Sequence, residues 1–381
     1  MTEAAAARAR IPVCEPWLDG NEVAYVTDAV RSGWISSSGE YLRRFEEGFA
    51  DYCGVRHGIG VTNGTTAVHL ALAAFGIGPG DEVILPDFTM IASAFAVCYC
   101  GALPVFVDAE PVAWNMDVAK IEEKLTARTK AILAVHIYGH PTDMDPLREL
   151  AAGRGIAVVE DAAEAHGSLY KGRKCGSLSD LAAFSFYANK VITTGEGGMV
   201  VTSDDALADA CRRKRNLAFP TAGARTYRHE EIGFNYRMSN LQAAIGLAQL
   251  EKIDQYVAAR RSNAARYDAL LAAVPALRRP AELPWARNTY WMYGVVLEDG
   301  APISRDDLAR RLADDGIETR PFFVPMHLQP ALRRYGADCS GSYPVATRLG
   351  ERGLYLPSGS NLAPAQIEYV CERVARHCAA A

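Results

Sequence analysis

The chain has 381 residues, 49% of them hydrophobic and 22% charged, enough for one large globular unit and a smaller one. A net charge of −5 excludes the basic excess that binds nucleic acid through counterion release, and no run of about eighteen apolar residues is there to span a membrane. Nine cysteines, an odd number without paired CxxC spacing, read as buried thiols of a reducing compartment, so neither a disulfide framework nor a metal site is expected. The opening MTEAAAARAR lacks the apolar core of a secretion signal, and the expected location is the cytoplasm.

Apolar positions at helical spacing predict helices over 17–32 and 40–52, the second stopped by Gly54. From 59 to 200 short apolar runs alternate with helical stretches: IGVT, the helix TAVHLALAAFG, EVILP, the helix ASAFAVCYCG, PVFVD, the helix DVAKIEEKL, TKAILAVHIYG, the helix MDPLRELAAGRG, IAVVEDAA, AAFSFYA and GGMVVTS. Near-continuous apolar strands between helices predict an α/β fold, a mixed but mostly parallel sheet covered on both faces. Beyond residue 250 a long helix, the strand YWMYGVVL, the helix RDDLARRLADDG and a last helix AQIEYVCERVARH predict a smaller α+β unit. The expected division is 1–250, including the N-terminal arm, and 251–381.

Ligands of such sheets collect beyond the carboxyl ends of the strands, which directs attention to three segments. In AAFSFYANKVITTGEGG, Lys190 follows a strand ending at Ser185 among apolar and small residues; desolvation there favours a neutral amine suited to condensing with a carbonyl. In IAVVEDAAEAHG, Asp161 ends a strand beside small alanines that let a flat ring approach, where a carboxylate can keep a pyridine nitrogen protonated. In TNGTTAVHLAL, Gly64, Thr65 and Thr66 open a helix whose free N–H groups suit a phosphate, and Ser185 can add a hydroxyl. Taken singly, each has an ordinary reading: a surface lysine before a hairpin, an aspartate capping a turn, a threonine N-cap.

Together, with GWISSSG, GIGPGDEVILPDFT, GFNYRMSNLQAAIGLAQL and RPFFVPMH, they resemble the DegT/DnrJ/EryC1/StrS sugar aminotransferases over about residues 11–375. The resemblance implies the pyridoxal 5′-phosphate (PLP) transferase fold type I, with Lys190 as Schiff-base lysine and Asp161 as partner of the ring nitrogen. It implies Gly64, Thr65 and Ser185 at the phosphate, Glu164 near the ring oxygen, and a homodimer in which Asn235 reaches the neighbour's phosphate. Met90 stands where the family usually stacks an aromatic ring on the cofactor, and His327 matches a histidine near the sugar. EDAAEAHG, FSFYANK and TKAILAVHIYGHPTDMDP are similar to the branch that aminates GDP-4-keto-6-deoxy-D-mannose at C4 with L-glutamate. Other nucleotide-linked keto-sugars (dTDP- or UDP-4-keto, GDP-3-keto) stay open, because loops such as 216–231 decide them. A PLP-dependent sugar dehydratase of the same family carries histidine in place of Lys190; a regulatory PLP-binding protein is a third reading, which the retained lysine, aspartate and phosphate residues argue against.

Overall fold

The protein is seen in a computed structural model that describes residues 10–221 and 226–379; most of the alanine-rich start and part of the 216–231 loop lie outside the described residues. Two helices open it. α1 (Glu22–Ser32) ends at Gly33 and α2 (Glu40–Cys53) at Gly54, both glycines in the left-handed conformation that turns the chain out of a helix without a Cβ clash. α1 starts later than the spacing predicts because the residues before it are committed elsewhere. The Trp17 carbonyl accepts from Gln249 and Tyr256, and Asp19 accepts from Tyr256 and pairs with Lys252.

The strands β1 (His57–Val61), β2 (Glu82–Pro86), β3 (Leu103–Val107), β4 (Thr129–Val135) and β5 (Ala157–Asp161) are followed by a small hairpin, β6 (Leu169–Tyr170) and β7 (Arg173–Lys174), then by β8 (Leu181–Ser185) and β9 (Gly198–Thr202). Seven of them form one sheet in the order β1-β9-β8-β5-β4-β2-β3. Every pairing is parallel except the two made by β9, so the sheet is mixed and mostly parallel as expected. All five residues of β2, β8 and β9 are buried, the pattern of strands covered on both faces. α3 (Gly64–Ala74) follows β1 and α4 (Ile91–Tyr99) follows β2; their apolar positions pack in one core with Val83, Leu85 and Val159. β1, β8 and β5 run in one direction around β9, which brings Asn63, Ser185 and Asp161 to the same end of the sheet.

One expected helix does not form: DVAKIEEKL makes two single 3₁₀ turns, Val118–Lys120 and Glu122–Lys124. Between 118 and 125 only Ile121 is fully buried, with Val118 and Leu125 half-buried against the same core, and nine residues with so short an apolar face are too few to hold a helix by themselves.

After α5 (Met144–Ala151) and α6 (Asp205–Arg215), α7 (Asn240–Leu250) begins with a reciprocal cap between Ser239 and Gln242. α8 (Ile253–Leu271) leads into an antiparallel sheet of order β10-β12-β14-β13, made of Leu277–Arg278, Tyr293–Leu297, Gly353–Leu356 and Arg320–Pro321, while β11 (Ala286–Arg287) pairs with β6. Tyr267, Val295, Leu308, Leu354 and Val370 build its core. Ile11 joins that core and bridges to Ile317, while Val13 packs in the core of the large sheet, so the start of the described chain touches both units. Among the described residues no helix is long and apolar enough to cross a membrane.

Candidate active site

β5 delivers three acidic residues within five positions. Asp161, at the strand's end, accepts from the Ser93 hydroxyl at 2.7 Å and from the Ala163 N–H at 3.2 Å. Glu164 turns back over the sheet, where one oxygen accepts from the Tyr138 N–H at 2.7 Å and the other lies 4.0 Å from the Lys190 amine. Lys190, five residues beyond β8, lays that amine 3.7 Å from the centroid of the Trp291 indole, and among the described residues it has no hydrogen-bond acceptor. Burial pushes the Lys190 ammonium below its usual range against the pull of Glu164 and Asp161. Burial also pushes the Glu164 carboxyl up to about 7, with Lys190 opposing.

The start of α3 supplies the opposite wall. Asn63 caps it, its side chain accepting from the Thr66 N–H at 2.9 Å while the Thr66 hydroxyl accepts from the Asn63 N–H and donates to the Asn63 carbonyl. Thr66 is thereby consumed by the cap and does not line the cavity. Gly64 and Thr65 do line it, with N–H groups that have no partner among the described residues, as expected in the first turn of a helix. Gly64 has to be glycine: a Cβ there would meet the Ser185 Cβ at 2.6 Å.

Between these walls lies a cavity of about 400 Å³ that also touches Thr89, Met90, Tyr187, Trp291, Phe323 and Tyr355. Met90 is 45% exposed and its sulfur accepts from the Ala92 N–H, so a flexible thioether stands at the mouth. The structure thus gathers Gly64, Thr65, Met90, Asp161, Glu164, Ser185 and Lys190 around one space. It does not bring His327 there: the His327 ring stacks on Tyr343, and its Nδ1 and backbone N–H both bind the buried Asp87, at 2.6 and 2.8 Å. Asn235 is exposed, bridges to Asn216 and stands outside this chain's cavity. Ser93 and Trp291 escaped the sequence reading; nothing local marks a serine in an apolar helix or a tryptophan in an apolar strand as a cavity residue.

Beside the cavity, His136, Glu160 and Cys175 bring their donor atoms within 4.8 Å of one another. Glu160 is already saturated, accepting from His136, the Gly176 and Leu178 N–H groups and the Ser179 hydroxyl at 2.7–2.9 Å. His136 Nδ1 accepts from Thr142 N–H, which leaves Nε2 to donate. This cluster is a closed hydrogen-bond lock, with no lone pair of Glu160 left for an ion.

The open cavity fits PLP. An unpaired buried amine faces it, a carboxylate held by two donors stands at the end of β5, and free N–H groups at a helix start lie against a serine hydroxyl with no Cβ between them. The model of the DegT/DnrJ/EryC1/StrS aminotransferase family matches residues 16–375. The chain is 49% identical to a GDP-perosamine synthase of Caulobacter vibrioides, covering 95% of this chain and 96% of that one, and 45% identical to another of Escherichia coli O157:H7, covering 96% and 97%. Among solved structures it resembles DesV of S. venezuelae in complex with a ketimine intermediate (TM-score 0.88, 39% identity, 95% of both chains) and a 3-amino-5-hydroxybenzoic acid synthase (TM-score 0.91, 29% identity, 97% and 99%). With nearly its whole length matched in this way, the chain belongs to the DegT/DnrJ/EryC1/StrS aminotransferases and is a PLP-dependent enzyme.

Proposed function

We propose that the protein aminates C4 of GDP-4-keto-6-deoxy-D-mannose with L-glutamate as donor, forming GDP-perosamine, and works in the cytoplasm as a homodimer. The observation that carries the sugar assignment is the identity of 49% and 45% to GDP-perosamine synthases over nearly the whole chain, against 39% to a dTDP-3-amino-3,4,6-trideoxy-α-D-glucose transaminase of Streptomyces venezuelae. The dimer reading is supported by exposed apolar side chains after α1, with Trp34 at 59% and Ile35 at 48%, and by Asn235 standing exposed outside its own cavity. Asn235 of the partner subunit would then add a donor at the phosphate.

PLP, when bound, supplies the electron sink that makes the donor's Cα–H acidic. Lys190 would hold it through its amine, whose neutral, nucleophilic form burial favours. Asp161, fixed by Ser93, would keep the proton on the ring nitrogen, while the Gly64 and Thr65 N–H groups and the Ser185 hydroxyl would hold the phosphate. With its amine free, Lys190 would take the proton from Cα of L-glutamate, and Glu164 at 4.0 Å would balance the resulting ammonium. Trp291, Phe323 and Tyr355 exclude water from that transfer.

Incubation with L-glutamate and GDP-4-keto-6-deoxy-D-mannose, followed by mass spectrometry and NMR of the sugar, tests the assignment. An amine at C4 is expected, and none with Lys190→Ala. An amine formed only on a dTDP- or UDP-linked sugar, or at C3, overturns the substrate; loss of a hydroxyl without amination points to a dehydratase.

A further inference from the structure

Arg260 in α8 is 2% exposed, yet among the described residues no carboxylate comes within ion-pair distance of it. All five N–H donors go to neutral acceptors. Nε donates to the Ser360 hydroxyl at 3.0 Å, Nη1 to the carbonyls of Trp291 and Ser358, and Nη2 to Cys14 Sγ and the Lys190 carbonyl, both at 3.4 Å. A guanidinium does not give up its proton inside a protein, so a full positive charge stays buried without a counter-ion. Such a charge is tolerated only when every donor is met, as here.

Two of the five acceptors belong to residues of the cofactor cavity. Lys190 offers its main-chain carbonyl, and Trp291 is the residue whose indole lies 3.7 Å from the Lys190 amine and whose Nε1 donates to the Asn189 carbonyl at 2.8 Å. One guanidinium therefore ties the backbone beneath the lysine to the backbone of its aromatic wall, and both to Ser358, Ser360 and the N-terminal segment at Cys14. The groups facing the Lys190 amine are few: Glu164 and Asp161 favour its ammonium form, as does Cys14 when ionised, while Arg260 opposes it. His166 also faces it, but burial pushes that imidazole down to about 3 and leaves it neutral. Arg260 is thus the fixed positive charge set against two carboxylates.

We propose that Arg260 is a positioning residue for Lys190: its uncompensated charge favours the neutral amine, and its donors hold the lysine's main chain and the indole in register. This rests on Lys190 being the residue that holds the cofactor. A brace with no electrostatic part would be loosened alike by Arg260→Lys and Arg260→Gln; a charge effect separates them.

The test is a pH titration of the visible band of the PLP-loaded full-length protein, which reports the proton on the lysine nitrogen. Arg260→Lys should keep the wild-type midpoint. Arg260→Gln should move it to higher pH, holding the proton at a concentration on the order of tenfold lower, the scale of one nearby charge. If Arg260→Gln does not fold, Cys14→Asp places a carboxylate against the guanidinium with its other bonds intact, and the same upward shift is expected. Unmoved midpoints in Arg260→Gln or Cys14→Asp, or equal shifts in Arg260→Gln and Arg260→Lys, overturn the proposal. Lys190→Ala, loaded in parallel, should lack the band; if it keeps the band, the reading of Lys190 falls and this proposal with it.

Discussion

Glu160 and Glu164 stand four residues apart in VEDAAEAHG, both buried, and the fold treats them in opposite ways. Burial pushes the Glu160 carboxyl up, but His136 and the Gly176 and Leu178 N–H groups outweigh it and hold it below the usual range. Glu164 receives one N–H and a distant amine, and burial carries it up to about 7. A buried carboxylate given all its donors is part of the scaffold; one given too few is left to respond to what enters beside it. The start of α3 repeats the contrast, with Thr66 consumed by the cap and Gly64 and Thr65 left open to the cavity.

The largest effect should come from the saturated side. Glu160→Ala strands the His136 ring, two N–H groups and a hydroxyl in the interior and should cost about 3–5 kcal/mol of stability in denaturant unfolding. A loss below about 1 kcal/mol would break the contrast, because each orphaned donor alone is worth that much.

Glu164→Gln sharpens it through pH. A carboxyl raised on folding from 4.5 to about 7 binds its proton more tightly folded than unfolded, so its contribution is complete below pH 4.5 and is lost as pH rises through about 7. Thermal midpoints of the cofactor-free proteins should diverge over that window, the glutamine variant gaining several degrees on the wild type by its upper end. Parallel pH profiles would show that Glu164 does not titrate there.

The two smaller effects form a pair. Gly64→Ala, which drives a Cβ against Ser185, should cost about 1–3 kcal/mol of stability and, by displacing the Ser185 hydroxyl, also lower PLP affinity in a spectroscopic titration. Thr66→Ala should cost about 1 kcal/mol of stability with PLP affinity unchanged. Equal losses of affinity in both variants would put Thr66 back among the cofactor ligands.

Much of this was legible in the chain because the decisive signals are local. Continuous apolar strands announced the sheet, and the residues just past β1, β5 and β8 announced the cavity, since strand direction alone brings those three ends together. What the sequence hid lies in pairings across long separations: Ser93 on Asp161, Trp291 under Lys190, Arg260 behind both, and the lock joining His136 to Glu160. The helix expected at DVAKIEEKL failed for a related reason, since its charges and apolar residues alternate plausibly but tertiary packing buries Ile121 fully and Val118 and Leu125 only in part. The resemblance placed His327 near the sugar, whereas the structure gives its ring to Asp87, an acceptor 240 positions away.

Borohydride reduction of the PLP-loaded protein, followed by mass mapping of its peptides, tests the central claim most directly. The account predicts a single phosphopyridoxyl adduct on Lys190; an adduct on another lysine, or none in protein that has bound PLP, would contradict it.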